Sequence, residues 1–160
     1  MKDIVVILQN IRSLHNVGSI FRTADASGVS KLYLCGITPS PVNILGALEP
    51  KLAKSSLGAE KHVKWEKQHS PATVIKKLKK KGYKIYAVEQ DKKSIAYTKI
   101  RPTKNEKVAL VMGNEVKGLP KNLLALADKI IEIPMHGKKE SLNVSVAFGI
   151  VVFQLINAKT

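Results

Sequence analysis

The chain of 160 residues has a single cysteine, Cys35, so no disulfide can form within it, and this usage fits a reducing cytoplasm. Long apolar runs are missing too. The most apolar stretch, residues 146–156, is interrupted by Gly149 and Gln154 and falls well short of the roughly 20 residues that a bilayer-spanning helix requires. The start, MKDIVVIL, is too short and too promptly polar for a secretory signal, so a cytoplasmic protein is expected. Acidic residues are scarce: 12 Asp and Glu stand against 27 Lys and Arg, a formal net charge of +15. That imbalance points either to a polyanionic partner or to a lysine-rich compositional bias, and charge alone does not separate RNA from DNA. Arginine is scarcer still. It occurs at Arg12, Arg22 and Arg101 alone, which marks these positions in a lysine-rich chain as candidates for a planar fork of donors.

Familiar nucleotide signatures are also lacking. There is no G-x-G-x-x-G, and Gly113 and Gly118, though spaced as in a P-loop, are followed by Leu119-Pro120 in place of the Lys-Ser/Thr that would hold phosphate and magnesium. His15, His62, His69 and His136 are scattered and Cys35 has no neighbour at metal-ligand spacing, so no metal is expected.

What is present is one domain of common size, residues 1–160, with strand and helix patterns in alternation. Strands are expected at 3–8, 31–35, 62–65, 83–88, 108–112 and 130–133, most of them apolar on both faces. Asn16 is a fair N-cap for a helix over 17–27 closed by Gly28. Residues 44–54 are expected to be helical in part, Ser70-Pro71 opens a helix ended by Gly82, and Pro120 opens a short one to about 127. Ser141 stands where an N-cap belongs for a last helix. That helix is apolar nearly all round from 146 to 156 and should be buried on several faces, by the fold or by a second subunit. The alternation argues for an α/β fold with a parallel sheet covered by helices on both faces. Ligands in such sheets sit beyond the carboxyl ends of strands, which singles out the loops 9–18, 113–118 and 134–143.

Those loops carry NIRSLHNVGSIFRTADASGV (10–29), ALVMGNEVKGLP (109–120) and IPMHGKKESLNVSVA (133–147). In order and spacing they resemble the three motifs of the SpoU (TrmH-type) RNA 2′-O-ribose methyltransferases of the SPOUT superfamily, and LCGITP and SLGAE extend the match over essentially the whole chain. The resemblance implies a C-terminal trefoil knot over approximately 108–160, a rare exception to unthreaded topology. It also implies S-adenosylmethionine as cofactor, tRNA or rRNA as partner, a homodimer, and methyl transfer to a ribose 2′-hydroxyl. A noncatalytic RNA-binding protein of the same fold and a base-directed RNA methyltransferase are the rival readings.

Residue by residue, the resemblance gives catalytic roles to Arg22, Asn16, Glu115, Ser141 and Asn143. It gives cofactor contacts to Gly113, Ile133, Met135, Leu142 and Ala87, and RNA contacts to Arg12 and Lys117. Plain alternatives stand beside several of these. Arg22 could pair with Asp25 three residues on, Asn16 and Ser141 could be caps, Gly113 a turn glycine, Glu115 a rim charge, and Ile133 and Leu142 also core residues. The run KKLKKKGYK at 76–84 reads as a solvated helix face with cations at its C-terminal end.

Overall fold

The computed structural model describes residues 2–158; Met1, Lys159 and Thr160, the ends of the expected domain, lie outside the described residues. Seven strands form one sheet: β1 (Asp3–Gln9), β2 (Lys31–Cys35), β3 (Trp65–Gln68), β4 (Tyr83–Val88), β5 (Ile95–Ala96), β6 (Lys107–Met112) and β7 (Lys129–Glu132). Their order is β3-β2-β1-β6-β4-β7-β5 and every pairing is parallel. The carboxyl ends of all strands therefore share one edge, and β7 lies between β4 and β5.

Two cores sandwich the sheet, as the period-2 geometry of strands demands. Ile4, Val6 and Leu8 face one core with Leu110, beneath helices α1 (Leu14–Ser27) and α5 (Val144–Asn157). Val5, Ile7, Ala109 and Val111 face the other, covered by Val74, Ile75 and Leu78 of α3 (Pro71–Lys80) and by Leu123 of α4 (Lys121–Leu124). Each large aliphatic side chain buried here stabilises the fold by about 1.5–3 kcal/mol. The expected α/β architecture with helices on both faces is what the chain adopts.

Several boundaries differ from expectation. Helix α1 begins two residues before Asn16, because the Ser13 hydroxyl accepts from the Asn16 amide and takes the cap. The left-handed Gly28 (φ 70°) closes it as expected. The third strand is displaced from 62–65 to Trp65–Gln68. Helix α2 occupies Pro50–Ser56 alone, because residues 43–48 are drawn into a turn around the Asn43 side chain. Strand β5, with two residues amid polar neighbours, carried no periodic signal.

The last helix departs most. Its N-cap is Asn143, whose Oδ1 accepts from the Ser145 amide, while Ser141 is exposed two residues earlier. The fold itself buries α5 in part, leaving the rest of the expected cover to a second subunit. Val144, Phe148, Val151, Val152 and Leu155 are buried, but Val146 (49% exposed), Gly149, Ile150 and Phe153 (40% exposed) form an apolar stripe that the chain itself leaves open.

Candidate active site

At the carboxyl edge of the sheet, the loops after β1, β2 and β6 are tied together by Asn10. Its backbone is left-handed (φ 52°), a conformation Asn tolerates better than most residues. Its Oδ1 accepts from the Ile37 amide at 3.0 Å, and its carbonyl accepts from Nδ2 of Asn114 at 2.7 Å. Asn114 in turn closes its own loop: its Oδ1 accepts from the amides of Val116 and Lys117, and its carbonyl accepts from Gly118. Glu89, just beyond β4, accepts from the Leu119 amide at 2.8 Å and holds the far end of that loop.

Gly113 is required by the close approach of the chain's own backbone. A Cβ there would lie 2.6 Å from the Gly118 carbonyl carbon and 2.8 Å from the Leu119 amide nitrogen, so the glycine admits the chain's own backbone. Gly118 (φ 64°) is equally constrained, since its Cβ would meet the Glu89 carboxylate.

Glu115 reaches from this loop to the start of α1. Its carboxylate accepts from the backbone amides of Arg12 (3.1 Å) and Ser13 (3.0 Å) and from Nδ2 of Asn16 (3.4 Å). A carboxylate suits the partial positive charge of a helix start. Desolvation pushes its pKa up, but these hydrogen bonds outweigh that and hold it below the usual glutamate value. Asn16, nearly buried, passes the connection on: its Oδ1 accepts from Nδ2 of Asn143 at 3.0 Å, and Oδ1 of Asn143 accepts from the Ser145 amide and hydroxyl. Three segments distant in sequence thus meet through Glu115, Asn16 and Asn143.

Beside this junction opens a cavity of about 460 Å³ between the loops after β4, β6 and β7. Leu119, Ile133, Leu142 and Val144 give it apolar walls, while Glu89 and Asp91 bring carboxylates to one side. Gly113, Glu115, Lys117, Met135 and Ser141 also line it. Ala87 does not; it is buried in the α3 core, whereas its neighbour Val88 faces the cavity. Arg12 is exposed in the loop after β1, its amide held by Glu115.

Arg22 lies elsewhere, two turns along α1. It lines a second cleft with His15, Ser19, Lys54 and Phe153, and among the described residues no ion pair joins it to Asp25. Cys35 is no nucleophile, since burial pushes its thiol up to about 12. Asn10, Asn114 and Glu89 were not among the expected site residues. The signal available for them was their place, since all three follow strands whose carboxyl ends share the edge.

The model of the SpoU rRNA Methylase family matches residues 3–153. The chain belongs to this family. Relatives bear out the SpoU assignment over nearly the whole chain. The tRNA (guanosine(18)-2′-O)-methyltransferase of Aquifex aeolicus is 35% identical over 153 residues, 96% of this chain and 68% of that protein. The AdoMet-bound rRNA methyltransferase from Sinorhizobium meliloti superposes with a TM-score of 0.84 at 30% identity, over 95% of this chain and 55% of its own. A further structure, solved for insight into 2-OH methylation of C/U34 on tRNA, gives a TM-score of 0.76 at 27% identity, over 96% of this chain and 93% of its own. The chain thus spans from about half to nearly all of the length of these relatives.

Proposed function

We propose that the chain is an S-adenosylmethionine-dependent RNA methyltransferase acting on a ribose 2′-hydroxyl of tRNA or rRNA, as a cytoplasmic homodimer. The observation that carries this reading is the junction of Glu115, Asn16 and Asn143 beside the apolar-walled cavity. The cavity suits the cofactor: about 460 Å³ lies within the range of small-molecule sites. Its apolar walls at Leu119, Ile133 and Leu142 fit a purine face, and the carboxylates of Glu89 and Asp91 fit hydroxyl donors and a cationic sulfonium. When bound, S-adenosylmethionine supplies an already activated methyl group.

The protein's share is alignment of the acceptor and handling of a weakly acidic hydroxyl proton. Asn16 and Asn143 fix each other's orientation, and Glu115 anchors the start of α1 above the cofactor loop. Ser141 lines the cavity as an exposed hydroxyl. Arg22, with its planar fork of donors, is suited to gripping a phosphate and stabilising a developing alkoxide, and the exposed Arg12 and Lys117 to contacting the RNA backbone.

The dimer reading rests on the open stripe of exposed Val146 and Phe153 with half-buried Gly149 and Ile150, the kind of contiguous apolar surface that marks an interaction site. Phe153 also lines the Arg22 cleft, so a dimer through the stripe puts Arg22 at the subunit boundary. The trefoil knot belongs to the same proposal. It is supported by β7 lying between β4 and β5 and by the two final loops walling one cavity.

The test is to incubate the protein with methyl-labelled S-adenosylmethionine and total tRNA and rRNA, digest to nucleosides, and locate the label. A 2′-O-methyl nucleoside is expected. Label on a base, or no cofactor binding, would overturn the reading in favour of a base methyltransferase or a binding protein.

A further inference from the structure

The two most exposed large apolar side chains are adjacent: Ile44 is 102% exposed and Leu45 87%. They sit at the tip of a short hairpin, 41–49, that follows β2 and is closed by an antiparallel bridge between Val42 and Leu48. The hairpin is well braced. The Asn43 side chain accepts from the amides of Leu45 (2.9 Å) and Ala47 (3.0 Å), the Asn43 amide donates to the Ala47 carbonyl at 2.8 Å, and the Glu49 amide donates to that of Pro41 at 2.8 Å. Gly46 supplies the positive φ (78°) that turns the tip. A free tip of polar residues would satisfy the same turn, so the two apolar side chains are held out without any structural need.

The setting says what they meet. Because every strand is parallel, the segment that runs from β2 into this hairpin leaves the same edge as the cavity, and β2 stands two strands from β6, on the order of 10 Å at about 4.8 Å per strand. The segment leading into the hairpin is braced to the loop after β6 through Asn10, which holds Ile37 on one side and Asn114 on the other. The hairpin's one acidic side chain is Glu49, at its base rather than its tip. Cations flank this stretch: Lys67 donates to the carbonyls of Gly36 and Thr38, Lys51 and Lys54 follow on α2, and Arg12 lies in the adjoining loop. An apolar tip between cations at the active edge matches a nucleic acid, with charges for phosphates and aliphatic surface for base faces. It is too small for a protein interface, which takes about 20–30 residues a side.

We propose that Ile44 and Leu45 form a wedge that presses against unstacked bases of the RNA substrate and splays them so that the target ribose reaches the site. Apolar side chains are used in this way to unstack base steps, and single-stranded RNA loops are the usual targets of recognition. The proposal deepens the methyltransferase reading and rests on it for the substrate class.

Its test has two arms. Benzoylphenylalanine is placed at position 44, at 45, or at the opposite edge in place of Lys81, and the protein is irradiated with unfractionated tRNA or with anionic lipid vesicles. Nuclease-sensitive cross-links from 44 and 45 and none from 81 are expected. Cross-links to a second copy of the chain or to lipid, or none to RNA, would overturn the wedge. In the second arm, Ile44→Ser/Leu45→Ser should lower kcat/KM on folded tRNA about ten-fold, as truncation of an interface anchor does. Cofactor affinity and the salt dependence of RNA binding should not change. Wild-type turnover in the variant, or weakened cofactor binding, counts against the wedge. If the wild-type protein methylates no RNA, the functional reading fails while the cross-links still report on the hairpin.

Discussion

Asn16 and Asn143, 127 positions apart, are joined by a 3.0 Å hydrogen bond from Nδ2 of Asn143 to Oδ1 of Asn16. The same Asn143 caps α5 through its Oδ1, so one side chain starts the last helix and fixes a residue of the first. The two roles can be separated. Asn143→Ser keeps a capping hydroxyl but is too short to reach Asn16 as Nδ2 does, and it should hold stability while lowering methylation. Asn143→Ala loses both and should also cost about 1 kcal/mol, measured by urea unfolding. Equal activity in wild type and Asn143→Ser would leave Asn143 as a cap alone.

Glu115 gives a prediction in pH. Its folded-state pKa is depressed, so the stability it contributes is present above the ordinary value of 4.5 and is lost as pH falls through the lower folded value. Glu115→Gln removes that titration. Urea midpoints of the two proteins should therefore differ by a constant amount above pH 4.5 and converge below it. A difference that grows on acidification would contradict the assigned hydrogen bonds from Arg12 and Ser13.

The cavity is better probed at Leu142 than at Gly113. Leu142 is 41% exposed on the cavity wall, so Leu142→Ala should leave the melting temperature nearly unchanged while weakening S-adenosylmethionine binding about ten-fold, the scale of one partly buried aliphatic contact. Gly113→Val drives a side chain into the backbone at Gly118 and Leu119 and should lower both affinity and melting temperature. Calorimetric titration and thermal unfolding distinguish the two.

How much of this was legible in the sequence depended on whether the deciding contact was local. β2 and β4 were placed at their observed ends, and β1 and β6 to within a residue, because their apolar runs are bounded by polar residues and a buried strand needs nothing else. The three loops announced themselves by motif. The caps did not: Ser141 and Asn143 are both good capping residues, and what sets Asn143 apart is its bond to a residue far away in sequence. Ala87 could have been excluded by period 2, since it alternates with Val88 and shares a face with Ile85. The open stripe on α5 was hidden because a helix apolar on every side does not say which side stays bare.

That bare side predicts an oligomer. Light scattering at micromolar concentration should give about twice the chain mass of 17.5 kDa. Phe153→Asp places a charge in the stripe at a position already 40% exposed, so it should yield a folded monomer with an unchanged far-ultraviolet spectrum. A wild-type monomer that methylates RNA would sink the dimer.

Arg22 lines a cleft with His15, Lys54 and Phe153 and is absent from the walls of the cavity proposed for the cofactor, so its role can be tested without disturbing that cavity. Arg22→Lys keeps the charge and loses the planar fork that grips phosphate in two-pronged fashion. Single-turnover methylation should fall about 100-fold, the typical cost of losing a preorganised charge-stabilising group. Cofactor affinity should stay at the wild-type value. Stability should also hold, because Arg22 is exposed and has no ion pair among the described residues. Near-normal turnover in Arg22→Lys would remove the arginine from the chemistry. A drop in both turnover and dimer mass would assign it to the subunit boundary instead, since Phe153 of the stripe lines the same cleft.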